Sequence, residues 1–144
     1  MIISARQLRS DVKSVFPSLK SFFGEKIHCT NPSYIIPPHD QALELLSKVW
    51  EPFTHLSWIR NIGECEVFAK AWCWDVHKYR LTQAFNQELS EDELFRWAFA
   101  AVSGLSPKGN SHTFNLLYSS KGIFIYDYGK EKDGNSYKPL LMEL

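Results

Sequence analysis

At 144 residues the chain is long enough for one domain with a real hydrophobic core. With 15% aromatic and 44% hydrophobic residues, it reads as a packed body and not as a disordered tract. Sixteen basic residues cancel sixteen acidic ones and no long Lys/Arg run occurs, so a nucleic-acid footprint is not indicated.

The longest apolar stretches, such as WAFAAV, fall far short of a membrane-spanning helix, so no membrane partner is expected. The opening MIISARQLRSDVKS breaks into charge too early for a secretory signal. Cys29, Cys65 and Cys73 are an odd, sparse set, which fits free thiols in a reducing compartment and therefore a cytoplasmic setting.

In chain order, Ser4 is a suitable N-cap for a helix over 5 to 15, which Pro17 ends. SYIIPP reads as extended, because residues before proline avoid the helical region. Asp40 then caps a helix with Leu43, Leu45, Leu46 and Val49 on its apolar side, closed by Pro52. Residues 53 to 62 form a loop anchored by Trp58 and Ile59. From Glu64 the spacing of Val67, Phe68, Ala71, Trp72 and Trp74 predicts a buried helix to about Tyr79. Ser90 and Glu93 form a capping box, so a short helix begins at 91. The stretch FRWAFAAV is ambiguous between helix and strand. HTFNLLYSS and GIFIYDY are strands joined as a hairpin, with a weaker strand near 137 to 142. Helices followed by strands imply an α+β class.

Cys65, His112 and Asp127 form the constellation with the most chemical meaning. Cys65 stands at a helix start just after Gly63, where unpaired N–H groups favour a thiolate. A thiolate nucleophile needs a base, and a base needs an orienting group. A hairpin turn centred between Ser120 and Lys121 sets Asp127 opposite Phe114, so His112 shares its face as a diagonal neighbour. Diagonal partners lie roughly 7–8 Å apart at Cβ, within reach of a carboxylate–imidazole hydrogen bond. A one-residue slip would place the two on opposite faces.

The order Cys, His, Asp, together with GECEVFA at 63 to 69, SHTFN at 111 to 115 and IFIYD at 123 to 127, resembles the papain-like and transglutaminase-like cysteine hydrolases. Within them it is most similar to the papain-like C-terminal domain of a mushroom agglutinin and to related phage and bacterial domains. SYIIPPHDQALELL looks like the segment before the nucleophile in that group. The resemblance implies a papain-like α+β fold, with N-terminal helices and a central nucleophile helix packed on a small antiparallel sheet. It implies one domain over 1–144, with 1–32 as an N-terminal extension and 33–130 as the core, and a strand at 97 to 103. Cys65 would be the nucleophile, His112 the general base and Asp127 the orienter of a hydrolase acting on an amide or peptide bond. A protein or peptide is then the expected substrate, with Trp58, Asn61 and Trp97 as substrate-binding residues.

The departures supply alternatives. Glutamates flank the cysteine, Ser111 replaces a glycine, and the candidates for an oxyanion donor are Arg60 and Asn61 nearby, with Gln41 farther away. A catalytically weak or inactive version of the same fold would be a phage or bacterial protein-binding module, and a transglutaminase-type acyl transferase would use the same three roles. Glu64 and Glu66 have a bland reading as first-turn acids that favour the helix dipole. Their sharper reading, with Asp127 as a further candidate ligand, is a divalent-cation site, calcium being the expected ion; otherwise no cofactor is required. The agglutinin domain's activity is linked to such a metal. Cys73 and His77 have a spacing permitted for zinc, though packing is the commoner reason for it. The five tryptophans read as core and cleft-lining residues, with a stacking platform for sugars or bases as the alternative, although no basic groove supports bases.

Overall fold

The computed structural model describes residues 1–60 and 64–144. The first strand, β1 (Ile2–Ser4), runs directly into helix α1 (Ala5–Val15), where the Ser4 hydroxyl accepts the Gln7 amide at 3.1 Å. That bond satisfies one of the donors left open in a first helical turn. Leu8 and Val12 lie one turn apart and are fully buried, and Pro17 opens a short 3-10 turn where α1 stops. Strands β2 (Ile27–His28) and β3 (Ser33–Ile35) follow, then helix α2 (His39–Trp50). Pro38 caps α2, two residues before the Asp40 cap that the sequence suggests, and Asp40 sits inside its first turn. Helix α3 (Cys65–Phe85) is 21 residues long and continues well past Tyr79.

The rest of the chain is sheet: β4 (Phe99–Leu105), β5 (Ser111–Ser119), β6 (Gly122–Asp127), β7 (Lys130–Lys132) and β8 (Lys138–Glu143). The capping box at Ser90 and Glu93 is present and opens a 3-10 turn over Glu91–Glu93. Six strands share one sheet in the order β2-β8-β4-β5-β6-β7, and β1 pairs with β3 in a second, two-stranded sheet. The β2–β8 pairing is parallel and the other pairs of the large sheet are antiparallel.

This corrects the expected fold class. The sheet is six-stranded and mixed, not small and antiparallel, and a strand precedes the first helix. Residues before 33 also pair into both sheets through β1 and β2.

Alternation along the central strands places the core on both faces of the sheet. Ala98, Ala100, Val102, Phe114 and Leu116 pack with Leu8 and Val12 of α1 on one face. Phe99, Leu117 and Tyr126 pack with Leu46 of α2 and with Trp72 and Val76 of α3 on the other. Because β4 and β5 are covered on both sides, they read as near-continuous apolar runs, and FRWAFAAV resolves as a strand from Phe99. Buried Asn115 ties the layers together: its amide donates to the carbonyls of Ala69 in α3 (2.9 Å) and Ala100 in β4 (3.2 Å). Trp58 and Ile59 do not anchor their loop, each standing more than half exposed.

Candidate functional site

The hairpin register places the polar pair of the site. β5 and β6 pair from Ser119↔Gly122 to Asn115↔Tyr126, the centring expected from the Ser120–Lys121 turn. His112 and Asp127 therefore meet, with Nε2 of the imidazole 2.8 Å from both carboxylate oxygens. An ionised carboxylate only accepts, so Nε2 carries the hydrogen in the neutral ring and Nδ1 keeps a lone pair. The Tyr137 hydroxyl donates to Asp127 Oδ2 at 2.8 Å. Burial, and then the neighbouring Asp127 carboxylate, raises the Tyr137 pKa and keeps that hydroxyl a donor.

Cys65 opens α3 behind Glu64, whose backbone is extended (φ −89°, ψ 170°). It lies on a cleft of about 400 Å³ between the head of α3 and strands β4, β5 and β8. Glu64 and Glu66 line the helix side of this cleft, and Ser103, Ser111, His112 and Thr113 line the sheet side. Cys65 and Thr113 also border a narrow neighbouring crevice, together with Asp127, Tyr128, Trp50 and Phe68. Cys65, His112 and Asp127 thus occupy one locality.

Tyr128 is the residue of this locality that the sequence did not single out. Its ring lies 6.0 Å from the His112 ring and 5.4 Å from that of Phe68. Burial, followed by the nearby charges of Cys65, Asp127 and Glu64, raises its pKa. The pairing Asp127↔Lys130 leaves Tyr128 and Gly129 as a two-residue turn, both with positive φ (48° and 77°). Such turns favour Asn or Gly at both positions, so a tyrosine followed by glycine between two β runs is the signal that marks it.

The remaining expected residues fall elsewhere. Trp97 is a correction: it is 1% exposed, packs in the core beneath the Arg80 guanidinium and does not line the cleft. Trp58 is exposed and lines neither the cleft nor the crevice, and Asn61 lies outside the described residues. Glu66 accepts from Lys70 at 2.7 Å, a contact that lowers its pKa. Among the described residues, no group of three or more His, Cys, Asp or Glu is placed to hold a metal ion. Cys73 and His77 turn to the Phe99 carbonyl (3.4 and 3.1 Å) as packing residues. Burial pushes the Cys73 thiol up to about 12 and the His77 imidazole down to about 4.

No protein-family model and no curated protein matches the chain. Its fold is similar to part of a crystal structure of Polyporus squamosus lectin bound to the human-type influenza-binding epitope Neu5Acα2-6Galβ1-4GlcNAc, with a TM-score of 0.72 at 15% sequence identity. The similarity covers 99% of this chain and 49% of the lectin chain, so the domain spans about half the length of that protein. At that identity the likeness shows the fold. That structure is of a lectin where a papain-like enzyme was expected, which corrects the expected family. The expectation of a thiol protease or amidase, with its alternatives of an inactive papain-like module and an acyl transferase, is corrected with it. A peptide as the partner has no support in these findings.

Proposed function

We propose that this domain binds a neutral glycan in the cleft at the head of α3. The observation that carries the reading is Tyr128: an exposed aromatic ring held in a left-handed turn beside His112, on the crevice that adjoins, through Cys65 and Thr113, a cleft rimmed with hydroxyls and carboxylates. A sugar presents an apolar face that an aromatic ring covers and a set of hydroxyls that need both donors and acceptors. The cleft supplies these in Ser103, Ser111 and Thr113, in the carboxylates of Glu64 and Glu66, and in the Nδ1 lone pair of His112. Its volume of about 400 Å³ falls within the range of small-ligand sites.

Charge selects among glycans. Among the described residues no lysine or arginine lines the cleft, while two glutamates do, one of them paired with Lys70, so a sialic acid carboxylate finds no cationic partner on its walls. The neutral disaccharide Galβ1-4GlcNAc is accordingly the better fit than its Neu5Acα2-6 form. In this reading the His112–Asp127–Tyr137 chain fixes the imidazole orientation, and Cys65 forms part of the cleft wall. Calorimetric titration with the two sugars tests the proposal. Saturable binding of the neutral disaccharide, weakened about tenfold by sialylation, supports it. Tighter binding of the sialylated form, or none of either, contradicts it.

A further inference from the structure

A second cavity, of about 250 Å³, opens between the C-terminal half of α3 and the segment 89–96, away from the cleft just described. Its walls divide by chemistry. Trp74, Leu81, Leu94 and Phe95 give an apolar face, and all four are substantially solvent-exposed. Arg80, Arg96 and Lys78 give the cationic side, and among the described residues no aspartate or glutamate lines the space.

Arg80 is 6% exposed. It donates to the carbonyls of Glu93 (2.6 Å) and Phe95 (3.3 Å) and lies 4.7 Å over the Trp97 ring, yet its Nε–H is buried without a partner among the described residues. Neither Arg80 nor Arg96 forms an ion pair among the described residues. The Glu93 carboxylate acts on Arg80 only through space and accepts both the amide and the hydroxyl of Ser90. A buried cation without a counter-charge is costly, and a carboxylate brought by a ligand would relieve that cost.

We propose that this cavity binds a small carboxylate with an aromatic or apolar body. The carboxylate sits toward Arg80 and Arg96, and the body lies on Trp74, Leu81 and Phe95. The site is independent of the glycan cleft, so either can fail without the other.

The test is calorimetric titration of the chain with 3-phenylpropionate and with its neutral amide, read in parallel by tryptophan fluorescence to report on Trp74. The acid should bind saturably and about tenfold more tightly than the amide. Arg96→Gln should reduce acid binding at least about fivefold with the circular dichroism unchanged, and Tyr128→Asn should leave it intact. If Arg96→Gln fails to fold, Lys78→Gln on the exposed rim supplies the comparison and should weaken the acid alone. Equal binding of acid and amide, no response below ~10 mM acid, or wild-type binding by the charge variants would overturn the proposal.

Discussion

Tyr128 holds φ at 48°, a left-handed backbone that costs an L-residue other than glycine or asparagine roughly 1–2 kcal/mol. The turn would be served better by asparagine, so the tyrosine is kept for its ring and not for its backbone. Tyr128→Asn is therefore expected to leave stability unchanged or raise it by up to about 1 kcal/mol, while weakening glycan binding at least about tenfold. Urea unfolding and calorimetry on the same variant separate the two effects. At this scale the sequence was only partly legible. The His112–Asp127 contact followed from hairpin arithmetic because turn position alone sets the register. Tyr128 did not, because its strained backbone is invisible to hydrophobic pattern. Trp97 was misplaced because composition cannot tell a core indole from a cleft-lining one.

Elements that rest on local rules were legible, and those that rest on distant pairing were not. The Ser4 cap, the Ser90–Glu93 box and the β5–β6 hairpin each need only neighbours in sequence. Strands β2 and β3, of two and three residues, carry too few residues for any period to show and exist only through partners far along the chain. The turn after β6 offers a check at this scale. Gly129 has φ 77°, and a Cβ there would meet the Trp50 ring, so Gly129→Ala should cost about 2 kcal/mol or more by urea unfolding. The packing of α3 on β4 offers another. His77 is held neutral with its pKa lowered from 6.5 to about 4, first by burial and then by Arg96. Between those values the unfolded chain binds a proton that the folded one refuses. The stability from this group is thus complete above pH 6.5 and falls as pH drops toward 4, by on the order of 3 kcal/mol. Urea midpoints measured across that window should slope in the wild type and flatten in His77→Gln.

For the whole molecule, helices before strands suggested an α+β body with a small antiparallel sheet. The chain instead builds one mixed sheet by returning β8 between β2 and β4, so that residues near both ends meet at its edge. That crossover is a long-range choice that no short motif encodes. It also shapes the cleft, because β8 closes the side of the space facing the head of α3. Three short motifs in the right order suggested a hydrolase, whereas the shared architecture is that of part of a lectin; order and spacing place side chains together without fixing their task. The most direct test is an amide NMR titration of the chain with Galβ1-4GlcNAc and, separately, with its Neu5Acα2-6 form. The account predicts saturable shifts at Ser103, His112, Thr113 and Tyr128 with the neutral sugar and much weaker ones with the sialylated sugar. An unmoved cleft at millimolar neutral sugar, or a stronger response to the sialylated form, would contradict it.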